Sequence, residues 1–235
     1  MAAAEARVIH RSLDGRRFLL SGRLDLSRPF TSVVDVTFRG RLHEFTAGPA
    51  ALGEDVARGL GVGGFDEELN YRDGTLFVAH ARPYDRQTRL VEELLVAVWR
   101  GSRHCLVTQL YGMTTADLLG VLRGLRIDEH ADGLAVHPDP RAGSELVAPA
   151  TIVKQVPTLG LLEISPLTTQ HAGTLPAWQG MSTPSGELFR DSLSDGKPYF
   201  ILAAADTWTT VVPLADTMPE QVASRLGRLR VQAAG

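Results

Sequence analysis

Four Asp-Gly pairs constrain the fold of this chain more than any other local feature. They begin at Asp14, Asp73, Asp132 and Asp195, whereas average composition gives roughly one such pair in a chain of this length. Asp-Gly tolerates the positive φ angles that tight hairpin turns require. Residues typical of strands flank the first three pairs on both sides and follow the fourth. The pairs therefore predict antiparallel sheets built from Asp-Gly hairpins.

Other runs rich in β-branched and aromatic residues predict further strands. These runs are residues 33–38, 104–110, 151–156, 159–164, 199–203 and 207–214. Pro213 has no backbone N–H, so its place in the last run indicates an edge or a strand end.

Apolar residues at helical spacing predict four helices, at residues 49–60, 88–100, 114–126 and 219–229. Thr114 is a candidate N-cap with Asp117 at the N3 position, a variant of the capping box. Many short strands with three to four amphipathic helices are typical of an α+β fold. We expect the helices to cover one face of antiparallel sheets.

Two stretches of the chain share a pattern that suggests an internal repeat. Residues 107–127 align without gaps on residues 211–231, and apolar positions match at 107/211, 110/214, 118/222, 122/226, 125/229 and 127/231. A true duplication explains this, and so does the pattern that any strand–turn–helix unit shares. We expect a single globular unit, residues 1–235. A duplication would divide it into two related lobes, residues 1–138 and 145–235, on either side of a stretch rich in Pro, Gly and charge.

Composition excludes several classes of function. A net charge of −3 over 235 residues gives no general attraction for nucleic acids or anionic membranes, so we expect neither as a partner. The N-terminus has no signal-peptide pattern and no apolar run is long enough to span a bilayer, which predicts a soluble, cytoplasmic protein. The single cysteine, Cys105, fits a small buried apolar residue. Lysine is rare beside arginine, a bias that the codons of a GC-rich bacterium impose.

Standard catalytic motifs are missing from the sequence. There is no phosphate loop and no nucleophile elbow, and the histidines lack metal-ligand spacing. If Asp132-Gly133 is a two-residue turn, His130 pairs with residue 135 and Asp128 faces His137. That hairpin face is half a metal site, an acid–base pair or, most simply, a solvated polar surface. The sequence thus predicts no catalytic residue, no metal site and no cofactor.

Residues 154–190 are the least generic segment. The segment has four prolines and little predicted regular structure, a combination that is often functional. An exposed Trp and Met suit a recognition surface or the lid of an apolar pocket. Alternatively, the segment is a packed crossover with its Trp in the core. The candidate binding residues are Trp178, Met181, His171, Glu163 and Arg190, the last as a partner for Glu163.

Two functions fit these patterns. The first is a non-catalytic binding or assembly protein that acts through residues 154–190 on a protein partner or a second copy of itself. The alternative is an enzyme or carrier for a small hydrophobic molecule in a pocket between sheet and helices. The candidates for that pocket are His171, Glu163, Tyr111 and Tyr199. We favour the first, which leans against an enzyme, and no motif assigns the chain to a family.

Overall fold

A computed structural model describes residues 5–85, 89–215 and 217–234. Residues 1–4, which contribute to the expectation of no signal peptide, lie outside the described residues. So does Thr88, the first residue of one predicted helix.

Strands dominate the described part of the chain, which also contains four α-helices and one 3₁₀ turn. In chain order the first elements are β1 (Ala6–Arg11), β2 (Arg17–Gly22), β3 (Phe30–Phe38), β4 (Arg41–Pro49), α1 (Leu52–Gly59), β5 (Glu67–Tyr71), β6 (Gly74–Ala81), β7 (Tyr84–Asp85), β8 (Leu90–Val91), β9 (Leu94–Arg100), β10 (His104–Tyr111), α2 (Thr115–Arg123), β11 (Leu125–His130) and β12 (Gly133–Pro138). They are followed by the 3₁₀ turn (Pro140–Ala142), β13 (Ser144–Leu146), β14 (Thr151–Val156), β15 (Gly160–Pro166), α3 (Thr169–Thr174), β16 (Met181–Thr183), β17 (Gly186–Ser192), β18 (Pro198–Ala203), β19 (Thr207–Pro213), α4 (Pro219–Leu226) and β20 (Arg230–Ala234).

The chain divides into two compact units. Unit 1 comprises Met1–Ser12, Arg16–Phe30 and Thr151–Gly235, and unit 2 comprises Leu13–Gly15 and Thr31–Ala150. These limits differ from the lobes 1–138 and 145–235, because unit 1 takes residues from both ends of the chain. The lobes as related halves of the sequence stay a prediction.

Each unit contains six antiparallel strands in the same spatial order. The order is β14-β15-β19-β18-β17-β16 in unit 1 and β3-β4-β10-β9-β6-β5 in unit 2. With the strands of either set numbered along the chain, both orders are 1-2-6-5-4-3. A helix follows the second strand and the sixth strand in both units, α3 and α4 in unit 1 and α1 and α2 in unit 2. Smaller sheets are formed by β1-β2-β20, by β11-β12 and by β7-β8, and β13 pairs with β3.

Helices lie on both faces of these sheets, which corrects the expectation of one covered face. In unit 2, Leu106 belongs to the apolar cluster of α2, whereas the next residue, Val107, packs with the cluster of α1. In unit 1, Val211 packs with residues of α4, and Trp208 lies on the side of α3. Successive side chains of a strand point to opposite faces. Both faces of each sheet therefore need a cover.

This two-sided burial explains the one helix that was predicted wrongly. Residues 88–100 contain β8 and β9 instead, and every residue from Leu94 to Trp99 is buried. A strand covered on both faces shows no polar alternation, so its continuous apolar run resembles a buried helix.

The other three predicted helices are confirmed as α1, α2 and α4, each shorter than expected. The predicted cap of α2 is present. Thr114 Oγ1 accepts a hydrogen bond from the Asp117 N–H at 3.2 Å, and Asp117 Oδ2 accepts one from the Thr114 N–H at 3.0 Å. This reciprocal pair satisfies two of the amide groups that a helix start leaves without partners.

The Asp-Gly pairs lie at connections between antiparallel strands, but Asp73-Gly74 and Asp132-Gly133 do not form the predicted two-residue turns. The β5–β6 turn consists of Arg72 and Asp73, and the glycine begins β6. Arg72 itself takes the positive φ, 54°. The β11–β12 hairpin has the same frame, so His130 pairs with Gly133 and not with residue 135.

Close backbone approach explains why a glycine begins β6, and β17 repeats the arrangement. A Cβ on Gly74 would lie 2.4 Å from the carbonyl oxygen of Arg100, and one on Gly186 would lie 2.1 Å from that of Ala203. In both units, the residue that carries this carbonyl oxygen is the cross-strand partner of the residue after the glycine. Both glycines also open the sequence Gly-x-Leu-Phe. The strand registers therefore match the two sheets residue by residue.

The strand registers show that the gapless alignment of residues 107–127 with residues 211–231 is wrong in its strand portion. Val107 lies on the α1 face of its sheet, whereas Val211 lies on the α4 face, which corresponds to the α2 face. The strand portions are thus offset by one residue. In the helices and the following strands the aligned apolar pairs are buried in both units, among them Leu118 with Val222 and Leu122 with Leu226.

Two ionisable groups, one in each unit, have strongly shifted pKa values. Lys154 on β14 is 1% exposed, and its Nζ donates a hydrogen bond to the carbonyl oxygen of Arg28. Burial lowers the pKa of this lysine to about 8, although the charge of Asp25 opposes the shift.

In unit 2, Glu129 on β11 holds the β9–β10 turn. Its carboxylate accepts hydrogen bonds of 2.8 Å from the N–H groups of Ser102, Arg103 and His104 and from the Ser102 hydroxyl. Burial alone would raise the pKa of this carboxyl, but together these donors lower it from 4.5 to about 2.

We predict that Glu129→Gln destabilises the protein and removes part of its acid sensitivity. The folded-state pKa lies below the unfolded value, so the stabilisation is complete above pH 4.5 and is lost as the pH falls toward 2. It amounts to about 3 kcal/mol at neutral pH, of which about 2 kcal/mol is gone at pH 3. Urea unfolding at pH 7 and pH 3 measures both effects, with Glu145→Gln, an exposed carboxyl, as the control. Equal stabilities of Glu129→Gln and wild type at pH 7 would contradict this account.

Candidate functional site

The segment of residues 154–190 is more regular than its sequence predicts. It contains the second half of β14, all of β15, α3 and β16, and the first part of β17. Irregular structure is confined to residues 157–159, 167–168, 175–180 and 184–185. Trp178 lies in the third of these stretches with 53% of its surface exposed. It is therefore not the core residue that the crossover interpretation requires.

The two candidate residues proposed as an ion pair, Glu163 and Arg190, lie on different faces of the unit 1 sheet. Glu163 pairs with Thr210 in a row that continues through Ile201, whereas Arg190 pairs with Phe200 in the adjacent row. Glu163 and Arg190 thus point to opposite faces, with β19 and β18 between their strands. The ion pair proposed for them does not form. Glu163 instead accepts a hydrogen bond from the Thr210 hydroxyl at 3.3 Å.

His171 has a structural position on α3. Its ring stacks on Trp208 with centroids 4.7 Å apart and planes 7° from parallel. Its Nδ1 accepts a hydrogen bond from the Thr168 N–H at 3.2 Å, and its own N–H donates to Thr168 Oγ1 at 3.4 Å. The imidazole therefore starts the helix and covers the sheet face beneath it.

Met181 and Arg190 are the two candidates that the structure brings together. They border an open groove of about 320 Å³ between the β16–β17–β18 end of the sheet and the start of α4. The groove is lined by Met181, Leu188, Phe189, Arg190, Phe200, Pro219, Glu220 and Ala223. Met181 is 51% exposed, and Met218, which precedes Pro219, is 60% exposed. We call this feature the α4 groove.

Unit 2 shows why the α4 groove is open. The residue of α2 that corresponds to Ala223 is Leu119, because Leu118 corresponds to Val222. The residue of β5 that corresponds to Met181 is Leu69, by the matched strand registers. Leu69 and Leu119 both pack against the core of unit 2. We therefore interpret the α4 groove as space left open because position 223 carries only a methyl group where the other unit has a leucine.

Sequence reasoning missed Ala223, Phe200 and Pro219 as parts of a site. The aligned helices already carried the signal at 119/223, where an apolar position changes from Leu to Ala. Its meaning required the fold, since only the structure places this position over an open part of the sheet.

The remaining candidates do not form a shared site. Tyr111 belongs to unit 2, and Tyr199 in unit 1 donates its hydroxyl to Asp191 at 3.2 Å. Asp128 Oδ2 lies 3.1 Å from His137 Nε2 and 3.1 Å from Arg126 Nη2, on a partly exposed hairpin face. Another cleft in unit 2, of about 610 Å³, is bordered by the exposed ion pair of Arg82 and Glu93.

Comparisons with known proteins do not assign a function to the α4 groove. No protein-family model, curated protein or solved structure matches the chain. Within residues 5–85, 89–215 and 217–234, no three His, Cys, Asp or Glu side chains are grouped as metal ligands. Over the same residues, no helix is long and apolar enough to cross a membrane. The α4 groove is therefore interpreted from its own residues.

We predict that His171→Ala lowers stability and leaves binding at the α4 groove unchanged. The variant loses one helix-cap hydrogen bond and the ring stack, together about 1–2 kcal/mol. Urea unfolding followed by tryptophan fluorescence measures the loss. Gln170→Ala, an exposed neighbour on α3, is the control. Unchanged stability together with weakened partner binding would instead make His171 a binding residue.

Proposed function

We propose that this chain is a non-catalytic binding or assembly protein that holds a protein partner at the α4 groove. One observation carries the proposal. A framework present twice in the chain is filled by Leu119 in one unit and left open at Ala223 in the other. Apolar side chains that face water at an open groove gain stability when another surface covers them. A ligand that covers the α4 groove would explain why apolar residues line it at a place where the matched residue of unit 2 is a leucine packed on the core.

We also infer that the two units arose by duplication. The support is the common strand order 1-2-6-5-4-3, the matched helices and the repeated Gly-x-Leu-Phe sequence. After a duplication, one copy is free to change a core position while the other keeps the original packing. The change from leucine to alanine at position 223 fits such a division of roles.

The exposed side chains around the α4 groove favour a protein over a small molecule. Met181 in the groove and Met218 next to Pro219 are each more than half exposed, and so is Trp178, three residues before Met181 in the chain. Methionine and tryptophan are enriched at protein interfaces, where flexible or large apolar side chains make much of the contact. A larger partner surface can cover residues outside the groove as well as fill it.

A small hydrophobic molecule is the second candidate, and the groove itself is the observation that favours it. Its volume of about 320 Å³ falls at the lower end of the range for small-molecule sites, and its lining is mainly apolar. Such a ligand would make the chain a carrier or an enzyme. The same experiment separates the two candidates.

We predict that Ala223→Leu abolishes partner binding without unfolding the protein. The added side chain fills the α4 groove as Leu119 fills unit 2. Native mass spectrometry of the full chain from its own cells should show a stoichiometric partner on wild type and none on the variant. Ser224→Leu adds the same bulk at the exposed neighbouring position and should keep the partner.

Two outcomes contradict the proposal. If Ala223→Leu retains the partner at wild-type stoichiometry, the α4 groove is not the site. If wild type carries a molecule of a few hundred daltons that Ala223→Leu loses, the carrier or enzyme function replaces the proposed one.

A further inference from the structure

Arginines cluster at two adjacent clefts of unit 1. The clefts have volumes of about 470 and 440 Å³ and share Arg23 and Arg228, while Arg230 lines the first and Arg225 the second. Among the described residues, no carboxylate forms an ion pair with any of these four guanidinium groups. We call these features the arginine clefts.

Two carboxylates also face the arginine clefts. Glu5 lines the first and Asp25 the second. Asp25 already accepts hydrogen bonds from the N–H and the hydroxyl of Ser27, which lower its pKa. Four guanidinium groups against two carboxylates leave an excess of positive charge. Such clusters recognise carboxylate and phosphate groups through charge-assisted hydrogen bonds.

The strand β16 runs from the α4 groove to the arginine clefts. At one end, Met181 lines the groove together with Pro219, the first residue of α4. At the other end, Thr183 Cγ2 lies 3.9 Å from the Cβ position of Gly227, just past the end of α4. Pro184, the next residue, lines the first arginine cleft. Three strand residues span about 10 Å, close to the length of about 12 Å for an eight-residue helix.

The outer edge of β16 lacks the charged residues that would oppose the addition of another strand. It is the last strand in its sheet order, and its residues Met, Ser and Thr carry no charge. The matching edge strand of unit 2, β5, contains Glu67 and Glu68. Charged side chains on an edge strand oppose the addition of another strand. The edge in unit 1 lacks this protection, and it lies beside the groove that Ala223 leaves open.

We propose that the partner presents an extended, acidic segment that pairs with the edge of β16. Its apolar residues enter the α4 groove, and its acidic residues, at the end nearest Pro184, bind in the arginine clefts. This inference rests on the proposed function and adds the chemistry of the partner. Backbone hydrogen bonds to the strand edge supply affinity, while the groove and the arginines select the sequence.

The test selects ligands for the full chain from a phage-displayed library of random linear dodecapeptides. We expect the enriched peptides to carry apolar residues at alternate positions next to two or more acidic residues at one end. Synthetic versions should bind at least about tenfold more weakly to Arg228→Glu, a loss of about 1.4 kcal/mol. Arg123→Glu, at the corresponding end of α2, should bind like wild type. Affinity should also fall with added salt because the contact is ionic.

N-methylation separates strand pairing from simple filling of the groove. Methyl groups on alternate backbone nitrogens of a selected peptide remove the N–H donors that an added strand uses. In one of the two alternate patterns, binding should be lost. Equal binding of both methylated patterns, enrichment of basic or uncharged peptides, or no enrichment would overturn this inference. Loss of the cellular partner from Ala223→Leu would still support the proposed function in each of those cases.

Discussion

The two-sided burial of each six-stranded sheet determines the rest of this structure. The strands β9 and β18 lie in the interior of their sheets, and residues on both of their faces are apolar, so neither face can remain in contact with water. The helices after the second and the sixth strand meet this requirement, one on each face. Large side chains such as Leu119 extend this cover at the border of the core. The cover is incomplete where Ala223 stands, and that gap is the α4 groove.

The two units illustrate how little a fold must change to gain a candidate binding site. Both retain the strand order, the glycine at the close backbone approach and the Leu-Phe pair that follows it. Among their differences, unit 1 has Ala223 where unit 2 has Leu119, and β16 lacks the charged residues of β5. Both differences bear on the surface of unit 1 between β16 and α4. A framework fixed by backbone pairing and core packing tolerates such changes because they lie at the border of the core.

Much of the fold could be predicted from the sequence, and the failures have physical causes. Most strands were predicted because half-covered strands alternate, and α2 was predicted to its N-cap because capping is a local interaction. The strand β9 was mistaken for a helix because burial on both faces removes the alternation. Met181 and Arg190 were identified from composition alone, but Ala223 was not, since the change from Leu119 to Ala223 gains its meaning only when the fold places this position beside an open groove. Glu163 and Arg190 lie on opposite faces of the sheet because of the register in which their strands pair through β19 and β18, and no local sequence pattern specifies that register.

The most direct test of a binding site at β16 is amide hydrogen exchange on the full chain, free and in complex with its cellular partner. Exchange reports the hydrogen bonding of individual backbone amides, and β5 supplies an internal reference at the matched edge of unit 2. We predict that partner binding slows exchange in residues 181–183 and leaves residues 67–71 unchanged. Protection of β5, or unaltered exchange in β16 when the partner is bound, would contradict the account.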